Sequence, residues 1–401
     1  MIELRTTDIA HGGEAVARFD GKAHFVAGAM PGELVVGEVI RDKKSWARVQ
    51  LTDVLEPSPD RVAPPCRHFD ECGGCQWQFA DYPVQLDWKR SIVEGQLRHL
   101  GRIEAVPVRP TVQTGDPYGY RNRMDFAASA GGPALRKGHT RDMVPIQECL
   151  LMAPPLADLF ETIGDLGDAR GITLRVGVTT GETLAVVKGS LPAGAEGWGC
   201  PVSLRTKEGL QQVTGTGVIH EEVGGIAFRV TGDAFFQNNT PGAAVLVDLA
   251  TEALAPQAHE TLLDGYSGVG LFGISLGRQA RRVIAVESNL DAVADFAHNA
   301  AGAGVDHRLF NSDFTKGLSL VKDPWDIAVV DPPRDGLGAA AVGALTACEP
   351  RAIAYVSCDP ASLARDARLL AEAGYQLAWV APVDMFPQTY HVETVSSFVR
   401  G

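Results

Sequence analysis

The chain has no excess of basic charge: 36 Lys and Arg stand against 49 Asp and Glu, a formal net charge of −13. Non-specific affinity for nucleic acid comes mostly from cations that neutralise phosphates. A generic polyanion binder is therefore disfavoured, although one local basic face is still allowed. The chain also lacks any run of about eighteen uncharged apolar residues, which argues against a membrane-spanning helix. Its first residues, Met1-Ile2-Glu3-Leu4-Arg5, lack the basic-then-apolar pattern of a secretory signal, so a cytoplasmic location is the expectation. No internal repeat or low-complexity segment is present. Cysteine is sparse and odd in number: Cys66, Cys72, Cys75, Cys149, Cys200, Cys348 and Cys358. That argues against a disulfide framework. Three of the seven fall within ten residues, a spacing that in a reducing compartment points to a metal or iron–sulfur site.

The remaining composition is ordinary for globular proteins, with 45% hydrophobic and 21% charged residues. A length of 401 residues allows two or three domains. Residues 1–58 alternate apolar and polar positions in short runs such as Ala23–Val26 and Leu34–Ile40, separated by turns such as Met30-Pro31-Gly32-Glu33. This predicts a small β-barrel. Arg41, Lys43, Lys44 and Arg48 form a basic cluster there. It reads either as a solvated edge that blocks strand pairing or as a phosphate-contacting face. A proline-rich joint, Pro57 to Pro65, leads into residues 59–235, which read as α+β with a helix from Val84 to Leu100. From 236 to 401 the pattern becomes strand, helix, strand, helix. Apolar runs at Thr261–Asp264, Val283–Glu287, Ile327–Asp331 and Ala352–Val356 predict parallel strands buried on both faces, in a doubly wound α/β sheet.

Three of these runs end in an acid: Asp264, Glu287 and Asp331. In such sheets ligands bind beyond the carboxyl ends of the strands. The turn Gly265-Tyr266-Ser267-Gly268-Val269-Gly270 lets backbone approach a ligand closely, but it lacks the Lys of a phosphate loop. Glu287, at the end of the next run, is suited to gripping two ribose hydroxyls. That pattern serves NAD dehydrogenases and class I methyltransferases alike. Asp331-Pro332-Pro333-Arg334 is a stiff acid-headed loop. It suits a site that holds a flat base beside a methyl donor, or else Asp331 simply caps a turn.

Cys358, in Ser357-Cys358-Asp359-Pro360, falls at a strand end just before a helix start near Ala361. The helix N-terminus is expected to lower the thiol pKa. The alternative is a small buried packing residue. A thiolate has a use in pyrimidine methylation: its addition at carbon 6 makes carbon 5 nucleophilic, and a base must later remove the carbon-5 proton. His391 and Glu393, in Phe386-Pro387-Gln388-Thr389-Tyr390-His391-Val392-Glu393, are the candidate bases. Period-two spacing puts them on one side if the segment is a strand.

With these motifs in view the chain resembles the RNA 5-methyluridine (uracil-C5) methyltransferases, over nearly its whole length. Ser357–Pro360 is similar to the family's nucleophile motif, Phe386–Glu393 to its base motif, and Asp331–Arg334 and Phe235-Phe236-Gln237-Asn238-Asn239 to two further motifs. The resemblance implies an α/β class I (Rossmann-like) methyltransferase domain, a central α+β domain and an N-terminal TRAM barrel of the oligonucleotide-binding type. It implies Cys358 as nucleophile, Glu393 as base, and Gln237, Tyr266, Glu287, Asp313 and Asp331 at the S-adenosylmethionine site. It also implies a [4Fe–4S] cluster on Cys66, Cys72, Cys75 and Cys149, with zinc as the alternative that spacing alone leaves open. The cluster would be structural or would position RNA. The implied partner is RNA, 23S rRNA ahead of tRNA, with Phe235 and Phe236 as stacking residues for a flipped base. A monomer is the simple expectation. Cys200 and Cys348 read as packing residues. Two departures stand out: Ser267 where the family commonly has Cys, and Leu271 where some members have a polar cofactor contact. A non-catalytic RNA-binding protein and an NAD-dependent oxidoreductase are the competing readings. Neither has a use for Cys358 and Glu393 together.

Overall fold

The computed structural model describes every residue except Val106 and His139. Residues 1–56 close into a five-stranded barrel. Its strands are Ile2–Ile9, Ala15–Phe19, Lys22–Ala27, Leu34–Asp42 and Trp46–Glu56, and the last two are swapped in spatial order. Alternate residues of these strands, among them Leu4, Ala17, Val26, Val35 and Val49, fill the interior. Small residues such as Ala15 and Ala17 suit so narrow a barrel.

A second layer is a seven-stranded sheet, ordered Gly209–Thr214, Val202–Thr206, Thr183–Gly189, Ala169–Val176, Arg123–Ser129, Gly132–Arg136, Met143–Pro145. The helix Pro154–Thr162 packs on one face through Leu156, Leu159 and Phe160. The strand Ala169–Val176 stops before Gly177, where a Cβ would stand 2.1 Å from the His220 carbonyl oxygen.

The third layer is an eight-stranded sheet. Its spatial order is His307–Asn311, Arg282–Glu287, Thr261–Gly265, Ile327–Val330, Ala352–Ser357, Glu393–Arg400, Tyr375–Asp384 and the short Val112–Gln113. The first five are mutually parallel; Glu393–Arg400 runs antiparallel to Ala352–Ser357. Alternate residues of one strand enter different cores. Leu262, Val283 and Ala285 face one, and Leu263, Ile284 and Val286 face the other. Both faces are covered, which explains the unbroken apolar runs. Two stretches from 59–235 join this layer. The helix Tyr82–His99 packs Val93 and Leu97 into the second core, and the hairpin Val218–Val223 with Ile226–Thr231 packs Ile219, Phe228 and Val230 into the first. Among the described residues no helix is long and apolar enough to cross a membrane.

Candidate active site

The strand order lines up the acids along one edge. Moving across the sheet, that edge carries Asp313, Glu287, Tyr266, Asp331, Cys358 and Glu393, each at or just beyond its strand. Glu393 reaches this edge because its strand is antiparallel and begins there. Ser357 pairs with Thr394 in the ladder, so the next residue outward on one strand is Cys358 and on the other Glu393. The Thr394 hydroxyl donates to the Ser357 carbonyl at 3.2 Å and ties this rim together.

Helix caps hold several of the motif residues. Asp359 caps the helix Pro360–Glu372, accepting from the N–H groups of Ala361 and Ser362 at 2.8 Å each. Cys358 directly precedes this cap. Asn239 caps Thr240–Leu254 and also donates to the Met385 carbonyl at 3.2 Å. Asp313 caps Phe314–Leu320 through the Lys316 N–H at 3.0 Å.

Cys358 stands among acids rather than in a positive field. Burial pushes its thiol up to about 12, and the neighbouring Glu393 and Asp331 carboxylates add to the rise. The lowered pKa expected from the helix N-terminus is thus corrected: desolvation and two carboxylates outweigh a partial positive charge. Burial raises Glu393 well above the usual carboxylate range, with Asp331 reinforcing it and Arg334 opposing it. Burial likewise brings Asp331 to about 7. The Gln237 amide donates to Asp331 at 3.4 Å. Asp264 lies below the rim, raised by burial to about 8; one of its oxygens accepts from the Gly273 N–H at 2.8 Å and the other is unpartnered.

Beside this cluster a cavity of about 220 Å³ is lined by Tyr266, Glu287, Ser288, Ser312, Asp313 and Phe314. It gathers three residues expected at the cofactor. Glu287 is held by backbone N–H groups, Gly268 at 2.9 Å and Ser288 and Asn289 at 2.7 Å. Tyr266, at φ +62°, stacks on Phe314 with centroids 4.7 Å apart. Phe314 had no signal in the sequence, since its part depends on a contact between the start of its helix and the turn that carries Tyr266. Leu271 is buried in the core, and the Ser267 hydroxyl is buried without a partner.

Two expectations need correction. Phe236 is no stacking platform: it is 4% exposed and packs against Phe228, whereas Phe235 is 60% exposed. Adjacent residues at this bend point in opposite directions. His391 lies outside the strand, which starts at Glu393, so the period-two pairing with Glu393 does not apply. Its ring packs against Tyr390 and Phe386, and burial holds its pKa down to about 4, helped by the nearby Arg334.

The barrel also reaches the site. His11 approaches Asp359 at 3.8 Å, and the Gly13 carbonyl accepts from the Trp77 indole at 3.1 Å. A Cβ on Gly13 would meet Tyr390 at 2.8 Å. Of the basic cluster, Lys43 and Lys44 are exposed, Arg48 pairs with Glu14, and Arg41 lies over Trp46.

Cys66, Cys72, Cys75 and Cys149 line one cavity of about 200 Å³ together with His68 and Arg121. Burial pushes the Cys75 thiol up to about 12 and raises Cys149 as well. Among the described residues, no three His, Cys, Asp or Glu side chains converge as a site for a metal ion. The Arg121 Nε is buried and has no hydrogen-bond partner. Cys200 is buried in the core of the central sheet, and Cys348 packs at the edge of the second core of the eight-stranded layer.

Residues 218–399 match the family model described as tRNA (Uracil-5-)-methyltransferase. An uncharacterized RNA methyltransferase of Gloeobacter violaceus is 33% identical, over 100% of this chain and 96% of its own length. Another from Halalkalibacterium halodurans is 31% identical, over 99% and 96%. Among solved structures, the Pyrococcus abyssi tRNA (uracil-54, C5)-methyltransferase in complex with S-adenosyl-L-homocysteine superposes with a TM-score of 0.79 at 26% identity. That alignment covers 99% of this chain and 100% of that one.

Proposed function

Since the chain belongs to the RNA (uracil-5-)-methyltransferase family, we propose that it methylates carbon 5 of a uridine in RNA, with Cys358 as covalent nucleophile and Glu393 as base. The observation that carries this reading is the pairing of a thiol and a buried carboxyl at the adjoining ends of two neighbouring strands. When bound, S-adenosylmethionine supplies an electrophilic methyl group and leaves as a neutral thioether. Tyr266, Glu287 and Asp313 would hold its adenosine half; Gln237 and Asp331 stand toward the reacting end.

The Cys358 thiolate adds to carbon 6 of the uracil, and the double-bond electrons move to carbon 5. Carbon 5 then bonds the methyl carbon. Glu393 takes the carbon-5 proton, the double bond re-forms, and the carbon–sulfur bond breaks to return the thiolate. A carboxylate made more basic by burial is suited to that proton transfer. Cys358 rests as a thiol: its proton passes to water before the sulfur adds to carbon 6, and the returned thiolate regains one from water while Glu393 releases the carbon-5 proton.

The donor set around the second cavity, four thiols lining a space of about 200 Å³, has the chemistry of an iron–sulfur site, and zinc takes the same four donors. Arg121, with its unpartnered Nε, lines the same cavity, and a thiolate-bound cluster is anionic. The barrel of residues 1–58, with Lys43 and Lys44 exposed, is the proposed RNA-reading module, and Phe235 the stacking residue. Of the two RNA classes, 23S rRNA is proposed ahead of tRNA.

Cys358→Ala is expected to abolish turnover, and Glu393→Gln to accumulate a covalent enzyme–RNA adduct visible on denaturing gels. Full activity of Cys358→Ala would sink the mechanism. Mapping 5-methyluridine in 23S rRNA and tRNA from a strain lacking the gene decides the substrate.

A further inference from the structure

The connection Met385–Val392 leads into Glu393 and carries Phe386 and His391 beside the site. Gln388, at its turn, adopts φ +68° while only 3% exposed. A non-glycine residue in the left-handed region carries a cost of about 1 kcal/mol or more, so its neighbours must hold it there. Four hydrogen bonds do. The Gln388 carbonyl accepts from the N–H groups of Gln76 and Trp77 at 3.0 and 3.1 Å. The buried Gln85 side chain closes the other side. Its oxygen accepts from the Gln388 N–H at 3.1 Å, and its amide donates to the Gln388 side-chain oxygen at 3.0 Å.

Two of the loop's fastenings come from residues next to the thiol cavity. Gln76 and Trp77 directly follow Cys75. Tyr120 donates its hydroxyl to the Pro387 carbonyl at 3.1 Å and directly precedes Arg121, whose guanidinium lies 6.0 Å from the Phe386 ring. Both Cys75 and Arg121 line the cavity.

We propose that Gln85 and the Cys75–Trp77 turn clamp Gln388, so that the four-thiol cavity sets the position of the loop that leads to Glu393. These are positioning residues; Gln85 is buried away from the reacting groups. The proposal deepens the reading above and rests on it for the catalytic consequence, but not for the structural one. A cavity that only braced the central sheet would leave this loop unchanged when its thiols are altered.

The test is amide hydrogen exchange across residues 385–392 in the full-length protein, with the barrel strand Ile2–Ile9 as internal control. Gln85→Leu keeps all four thiols, and Cys75→Ser alters one. Both are expected to speed exchange in 385–392 by about tenfold relative to the control strand, Gln85→Leu by removing two of the four hydrogen bonds on Gln388 and Cys75→Ser by displacing the turn that supplies the other two. Gln85→Leu is also expected to lower kcat by about 10²-fold through displacement of the loop, with S-adenosylhomocysteine affinity within twofold of wild type. Unchanged exchange in Gln85→Leu overturns the clamp, and that variant keeps the proposal testable if Cys75→Ser does not fold. Loosening in Gln85→Leu but not in folded Cys75→Ser overturns the link to the cavity. If the loop loosens but wild-type enzyme transfers no methyl to uridine, the clamp stands and the proposed function fails.

Discussion

Lys89→Met tests what holds the loop leading to Glu393 to the rest of the molecule. The Lys89 and Asp384 side chains form an ion pair at 0% exposure on both sides. The same ammonium donates to the Phe386 carbonyl at 3.0 Å, and Asp384 also accepts from the Tyr82 hydroxyl at 2.9 Å. Methionine keeps the length and the apolar stem of lysine, so packing changes little. Asp384 is then left buried with one neutral donor. Removing one partner of a buried pair costs about 3–5 kcal/mol. The orphaned Phe386 carbonyl overlaps with that figure, because the same ammonium serves both. The expected loss is therefore about 4 kcal/mol. In Lys89→Met/Asp384→Leu no charge is stranded. A buried pair and its apolar replacement are often nearly equal in stability, so what should remain is the carbonyl's loss of about 1–2 kcal/mol and a smaller one at the half-buried Tyr82 hydroxyl, which loses its acceptor but can turn to water. The double variant is thus expected to be more stable than Lys89→Met alone. The assay is urea unfolding, with exchange over Tyr82–His99 as the local reporter, since a chain with several layers need not unfold in one step. A double variant as unstable as the sum of the two singles would refute the reasoning.

Alkylation of Cys358 by iodoacetamide in the absence of ligands should be slow at pH 8. With the thiol near 12, only about 10⁻⁴ of it is ionised at that pH, and the rate should still be rising at pH 10; a plateau below pH 8 would contradict the raised thiol. Phe314→Ala removes the ring stacked on Tyr266 and should weaken S-adenosylhomocysteine binding by about 1 kcal/mol, or roughly fivefold, measured by calorimetry; unchanged affinity would remove that cavity from the cofactor site. Asp359→Ala strips the cap from Pro360–Glu372 and should cost about 1 kcal/mol of stability. Its kcat should fall further than that loss explains, because the same turn aims Cys358; a stability loss with wild-type kcat would deny the aiming role.

Local chemistry made much of this protein legible in one dimension. Parallel strands buried on both faces must be apolar along their whole length, so the runs ending at Asp264, Glu287 and Asp331 announced both the sheet and the edge along which its acids stand. Asp359, Asn239 and Asp313 are local helix caps, and the five barrel strands follow their alternation. Contacts between distant segments decided the rest. Cys358 and Glu393 meet only because Ser357 pairs with Thr394, and the register of two strands is invisible in either alone. The direction of the Cys358 shift depends on carboxylates that the fold brings in from other strands, where the helix terminus by itself argued the opposite. Phe235 and Phe236 read alike in the sequence, and only the bend before the helix Thr240–Leu254 sends one outward and the other into the core. The hold of Gln76, Trp77 and Gln85 on Gln388 joins residues some three hundred positions apart. A hydrogen bond over that distance leaves no local pattern, because its partners are chosen by the packing of whole layers.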